Sequence, residues 1–222
     1  KPWTAFPIKG VIWYQGEANV GRSEQYGDLF PALITDWRRQ WRSDFPFYFV
    51  QLANFMESKK IQPDSEWAAL REAQTKALKL DQVGMAVTID IGLADDIHPK
   101  NKQEVGRRLA LVALAGSYGK NVSGSAPVFR NYRIKGDKME LDFGQKQDGF
   151  QIKGTTLKGF TIAGPDRVFY PAEAMVQNGK IILSSTEVPA PLAARYGWAD
   201  NPDCNLYGEN GLPVAPFRTD CW

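Results

Sequence analysis

Hydrophobic and polar positions follow two different rhythms along the chain, and the change falls near its middle. Gly10-Val11-Ile12-Trp13-Tyr14 is a short apolar run closed by Gln15-Gly16-Glu17, the pattern of a buried strand entering a loop. Phe30, Leu33, Ile34, Trp37 and Trp41 then recur at helical spacing, with Arg38, Arg39 and Arg42 off that stripe. Phe45-Pro46 ends the helix, and the apolar run over 47–52 predicts a second strand. An amphipathic helix over 67–80, a strand over 84–90 and a helix from near Pro99 to about Leu114 follow. Strands alternating with helices predict parallel βαβ units with right-handed crossovers.

Beyond Gly116 the helical period is lost. Tyr132-Arg133-Ile134 and Met139-Glu140-Leu141-Asp142-Phe143 flank Lys135-Gly136-Asp137-Lys138, a hairpin pattern. Ala174-Met175-Val176 and Lys180-Ile181-Ile182-Leu183 flank Gln177-Asn178-Gly179, and Asn-Gly suits a type I′ turn because both central residues need positive φ. Several short strands at this spacing predict a β-sandwich. From about Pro189 the chain is rich in Pro, Gly and Asn and reads as an irregular tail on the surface. The expected division is 1–120 for the α/β part and 121–222 for the β-rich part.

Composition narrows the functional classes. The 222 residues are enough for one large core or two small ones. A net charge of +2, with the basic residues scattered, leaves no electrostatic footprint for nucleic acid or an anionic membrane. No apolar run approaches the ~18–20 residues of a membrane helix. Seven Trp residues are mostly accounted for by core packing, although sugar-handling surfaces also use aromatic faces. With one His and two Cys, a His-rich or Cys-rich zinc site is short of ligands. Asp90, Asp95 and Asp96 offer a magnesium alternative, but no phosphate-cradling Gly-rich loop accompanies them. No cofactor is expected. Cys204 and Cys221 are either a disulfide, which would suit a periplasmic or secreted protein, or two unrelated thiols.

An open parallel sheet places its site at the carboxyl ends of its strands. Two polar loops sit there. In Asp95-Asp96-Ile97-His98-Pro99 the histidine is a candidate general base, with Asp95 three residues before it or Asp96 as the orienting acid. The same loop also reads as a plain helix-capping turn. In Gln15-Gly16-Glu17-Ala18-Asn19 the amides and the Gly16 N–H are candidate oxyanion donors, and Glu17 a brace. A polar strand-end turn is the plainer alternative. The chain has no Gly-x-Ser-x-Gly elbow, and Ser117, Ser123 and Ser125 fall at a helix end or in a linker. Asn121-Val122-Ser123 fits a glycosylation sequon, a pattern that chance often supplies.

Taken in order, several blocks resemble the sialate O-acetylesterase family of the SGNH-hydrolase superfamily. Gly10-Val11-Ile12-Trp13-Tyr14-Gln15-Gly16-Glu17-Ala18-Asn19 is similar to its third block. Leu70-Arg71-Glu72-Ala73-Gln74 is similar to a helix motif, and Asp96-Ile97-His98-Pro99-Lys100-Asn101-Lys102-Gln103 with Val105-Gly106-Arg107-Arg108-Leu109 to the block around the catalytic histidine. Arg195-Tyr196-Gly197-Trp198, Asn205-Leu206-Tyr207, Gly211-Leu212-Pro213 and Pro216-Phe217-Arg218-Thr219-Asp220 resemble its ending. The resemblance implies part of a flavodoxin-like α/β/α SGNH sheet followed by a β-sandwich. It implies metal-free hydrolysis of acetyl esters on sugars such as sialic acid. His98 would be the base and Gln15 an oxyanion donor, with Gly16, Glu17, Asn19 and Arg71, which fall in matching motifs, as substrate-binding residues. The spacing rule picks Asp95 as the acid and the local match centres on Asp96. The family's Gly-Gln-Ser-Asn-type serine block has no counterpart here, so the nucleophile is expected outside this chain. The first sheet strand is then expected to meet that missing half, or a second copy, along its open edge. A carbohydrate-binding piece without catalysis and a general esterase are the rival readings.

Overall fold

The computed structural model describes residues 2–144 and 149–222. Strands β1 (Val11–Trp13), β2 (Phe47–Val50) and β3 (Val83–Ala86) form a parallel sheet in the order β1-β2-β3. Helices α1 (Ser23–Trp41) and α2 (Glu66–Thr75) make the two crossovers, and α3 (Lys102–Gly116) follows β3.

The central strand explains the layering. All four β2 residues are buried, and alternate side chains point to opposite faces. Phe47 and Phe49 join Phe30 and Ile34 of α1 and Trp67 and Leu70 of α2. Tyr48 and Val50 join Val105, Leu109 and Val112 of α3. Each such fully buried side chain contributes roughly 1.5–3 kcal/mol of hydrophobic stabilisation. The result is the expected three-layer α/β/α arrangement.

The regular elements are shorter than the periodicity predicts, for local reasons. α2 stops at Thr75, and a 3-10 turn, Lys76–Lys79, carries the chain toward β3. β3 ends at Ala86, because beyond it the chain leaves the sheet and Thr88 Oγ1 donates to the Gln51 carbonyl at 2.6 Å. α3 starts at Lys102 rather than near Pro99, where the Asn101 side chain accepts the Glu104 N–H at 3.1 Å as an N-cap.

The second half is β throughout its described residues. Sheet one is ordered β4-β5-β10-β9, from β4 (Asn131–Lys135), β5 (Lys138–Asp142), β9 (Glu173–Gln177) and β10 (Lys180–Ser184). Sheet two is ordered β13-β11-β7-β8, from β7 (Phe160–Ala163), β8 (Phe169–Pro171), β11 (Ala193–Tyr196) and β13 (Phe217–Arg218). β6 (Phe150–Ile152) pairs with β12 (Leu206–Gly208). Met139, Leu141, Ile181 and Leu183 of sheet one share a core with Phe160, Ile162, Ala194 and Tyr196 of sheet two, which is a sandwich. Both hairpins are present: Asn178 and Gly179 have φ of 51° and 73°, as type I′ demands, and Gly136 has φ of 61°.

One expectation is corrected. Residues 189–222 are not a surface tail, since they supply β11, β12 and β13 and bury Tyr196, Leu206 and Val214. These strands are two to four residues long, too short to show a period of two against the surrounding Pro and Gly.

Candidate active site

Because β1, β2 and β3 are parallel and adjacent, the segments after them leave the same edge of the sheet. One contact links the start of the first, just after β1, to the start of α3, which follows the third. The Lys102 ammonium at the start of α3 lies 4.9 Å from the centre of the Tyr14 ring, next to Gln15.

After β1 the chain makes a single 3-10 turn, Glu17–Asn19. Gly16 precedes it with φ of 156° and is buried; a Cβ there would meet Gln74 Nε2 at 3.1 Å and Leu52 at 3.3 Å. A side chain there would be strained by conformation and tightly packed against these neighbours. Gln15 Nε2 donates to Asn19 Oδ1 at 2.7 Å. One of the two amide hydrogens of Gln15 is thereby fixed, which sets the direction of the other. The Gln15 carbonyl accepts from Tyr26 Oη and Gln74 Nε2, each at 3.2 Å. Glu17 supplies negative charge to this corner. Burial first and the Glu17 charge second push Tyr14 up to about 12, and burial also raises Tyr26.

The segment between β3 and α3 carries the acids and the histidine. The His98 side chain is 86% exposed, so its ring is open to whatever faces this edge. Asp96 Oδ1 accepts the His98 backbone N–H at 2.9 Å and stands 3.6 Å from His98 Nδ1, longer than a hydrogen bond. Asp95 is exposed and makes no hydrogen bond or ion pair among the described residues. The structure thus brings Asp96, not the Asp95 of the spacing rule, to the ring. Asp90 is turned to Arg108 and Tyr207, so the three acids do not converge on a metal position among the described residues.

Arg71 is placed differently from the rest. It is fully buried, and its guanidinium donates to the carbonyls of Leu52, Ala53, Ala199 and Asp200 at 2.7–2.8 Å. Burial pulls it below the ordinary guanidinium range. It ties the segment after β2 to the β-rich half and presents no free face to a substrate. A hollow of about 460 Å³ opens between 58–63 and the β-rich half, lined by Lys59, Phe169 and Trp198 among others, and includes neither His98 nor Gln15. Both cysteines are free; burial pushes the Cys204 thiol up to about 12, while Cys221 is exposed.

Residues 3–115, the whole α/β half and both of these loops, match the family model described as "Carbohydrate esterase, sialic acid-specific acetylesterase". The chain belongs to this family of carbohydrate esterases. The sialate O-acetylesterases of Pongo abelii and Homo sapiens are 32% and 31% identical to it, each over 97% of this chain and 46% of their own length. A crystal structure of a carbohydrate acetylesterase from Xanthomonas citri superposes with a TM-score of 0.93 at 46% identity, over 100% of this chain and 52% of that one. The chain spans about half the length of the curated relatives it matches.

In this esterase-family chain the helix motif Leu70-Arg71-Glu72-Ala73-Gln74 acquires a physical meaning. Leu70 and Ala73 are core residues. Gln74 accepts the Leu52 N–H at 2.9 Å while donating to the Gln15 carbonyl, so it locks two strand-end segments together. Glu72 receives two hydrogen bonds of 2.9 Å from Arg218. The signal for Gln74 in the sequence is two polar residues, Arg71 and Gln74, about one helical turn apart and beside the apolar Leu70 and Ala73. Asn54, whose Oδ1 takes the Gly92 N–H at 2.7 Å, left no trace in the pattern.

Proposed function

We propose that this chain supplies the histidine side of the active site of a carbohydrate O-acetyl esterase, with the nucleophilic serine coming from sequence outside it. The observation that carries the reading is His98, exposed beside Asp96 at the sheet edge, within a family-matched segment. The serine hydroxyl attacks the acetyl carbonyl and passes its proton to His98 Nε2. A carboxylate on the Nδ1 side, Asp96 by proximity, holds the ring's tautomer and stabilises the imidazolium. The second Gln15 amide hydrogen and the Gly16 N–H are the oxyanion donors, with Asn19 aiming Gln15 and Glu17 bracing the turn. His98 returns the proton to the departing sugar oxygen. Water, deprotonated by His98, then attacks the acyl-serine, and His98 passes that proton to the serine oxygen as the acyl–oxygen bond breaks and acetate leaves.

The substrate class is an O-acetylated sugar, sialic acid included, and the chemistry needs no metal. The half that carries the serine would pair along the free side of β1, which among the described residues bonds only to β2. The test compares this chain with the complete enzyme. A fluorophosphonate should label the complete enzyme and leave the 222-residue chain unlabelled. Hydrolysis of an aryl acetate by the complete enzyme should fall with His98→Ala by on the order of 10⁶-fold in kcat, because triad members act as a unit. Robust turnover by this chain alone, lost in His98→Ala, would show that the nucleophile lies within it. Glycan binding by a complete protein that hydrolyses no acetyl ester would replace the esterase reading with a binding one.

A further inference from the structure

The segment that carries His98 is held at its start by the β-rich half. Asp90 lies eight residues before His98 and is only 10% exposed. Its carboxylate accepts three hydrogen bonds: Arg108 Nη1 at 2.6 Å, Arg108 Nη2 at 2.9 Å and Tyr207 Oη at 3.0 Å. Arg108 belongs to α3, where the segment ends, and it also donates to the Val87 carbonyl at 2.7 Å and to Glu104 at 2.7 Å. One guanidinium therefore ties the two ends of 87–101 together. Tyr207 belongs to β12, in the other half, and is buried. Burial and the Asp90 charge both push its phenol well above its ordinary range, so it remains a donor at every working pH.

A second tie lies a few residues on. Asn54 Oδ1 accepts the Gly92 N–H, and Asn54 Nδ2 donates to Asn201 Oδ1 at 2.8 Å. A Cβ on Gly92 would come within 1.8 Å of the Asn54 carbonyl oxygen, so the chain passes as close as backbone permits. Leu93 forms a bridge to Phe55. After Leu93 the ties thin out, and Asp96 and His98 stand on an anchored stem. Buried bidentate Arg–carboxylate pairs fix direction as well as distance, which is what a base must have to meet a nucleophile from another segment.

We infer that Asp90, Arg108 and Tyr207 are positioning residues for His98, and that the β-rich half serves catalysis by fixing the direction of the His98 segment. The inference rests on the proposed role of His98 as base. It explains why Asn205-Leu206-Tyr207, remote in sequence from any catalytic block, contributes a buried hydroxyl aimed at this stem.

Tyr207→Phe removes one hydroxyl and keeps the ring, so it is the discriminating variant; Arg108→Lys, which keeps the charge and loses the fork, is the companion. Amide hydrogen exchange in this chain should quicken in 88–98 by about tenfold or more in Tyr207→Phe, with the rest of the α/β half unchanged. His98 is the chain's single histidine, so its imidazole NMR signals report the same loosening without ambiguity. In the complete enzyme kcat should fall by roughly tenfold to 10²-fold with KM held, as a misdirected base predicts. Uniform quickening across the chain, or none, would overturn the inference, and so would a loosened segment with unchanged kcat. If the complete wild-type enzyme shows no esterase activity, the catalytic reading itself fails, and with it the positioning role, whatever the exchange data say.

Discussion

A carboxylate two residues before a histidine can hold either that residue's backbone N–H or its ring, and Asp96 holds the N–H while standing near the ring. Its Oδ1 accepts the His98 N–H at 2.9 Å and stands 3.6 Å from Nδ1. The backbone bond fixes the carboxylate beside the exposed ring. Asp95, one residue further away, has no such tether. In the complete enzyme Asp96→Asn should therefore lower kcat by about 10⁴-fold, as loss of the orienting acid does in other triads. Asp95→Asn should stay within about tenfold. Steady-state kinetics on the two variants decide it, and the reverse order would return the role to Asp95. Arg71 shows the same logic with another outcome. Its motif match suggests a substrate contact, and four carbonyl partners in a buried site make it a support instead. Replacing it would strand buried carbonyls, each costing about 1–3 kcal/mol.

Helix α3 carries the His98 segment on its N-terminal end, and its first turn is held by charge. Glu104 accepts from Arg107 at 2.7 and 2.8 Å and from Arg108 at 2.7 Å. The hydrogen bonds from Arg107, ahead of those from Arg108, hold its carboxyl down at about 2 against an ordinary 4.5. A depressed carboxyl pKa stabilises the folded state in full above the unfolded value, and the contribution is lost as pH falls through the folded one. The window is thus about 4.5 down to about 2. Below pH 4.5 the melting temperature of Glu104→Gln should fall less steeply than that of the parent chain, by circular dichroism. Parallel profiles would mean that Glu104 does not govern this part of the acid response.

At the scale of the molecule, the two halves meet through polar side chains drawn from the C-terminal blocks. Arg195 donates to the Pro63 carbonyl, Trp198 to the same carbonyl, Arg218 to Glu72 and Tyr207 to Asp90. On the opposite side of the sheet, β1 is an edge strand: among the described residues it bonds to β2 alone, and Ile12 at its centre is 71% exposed. An open edge strand with an apolar side chain invites pairing with another chain. The isolated chain should therefore associate as its concentration rises, and Ile12→Lys should weaken this. Sedimentation velocity on both would show it, and a wild-type chain that stays monomeric at high concentration would refute it.

Periodicity alone determined the succession of strands and helices, because a β2 buried on both faces and helices buried on one each leave their own apolar spacing. The Asn178-Gly179 turn was equally legible, since its backbone needs residues that tolerate positive φ. The two loops at the carboxyl edge followed from parallel strand order, and the family resemblance from blocks that keep their sequence order. Tertiary structure decided the rest. Whether Asp95 or Asp96 reaches His98 depends on how one loop turns, and no spacing rule contains that. Arg71 became a clamp only when Ala199 and Asp200 were brought to it across 128 residues or more. The short strands β11, β12 and β13 were hidden because two to four residues cannot display a period. Their pairing, and the Tyr207 hydroxyl they deliver to Asp90, exist only once distant segments share one core.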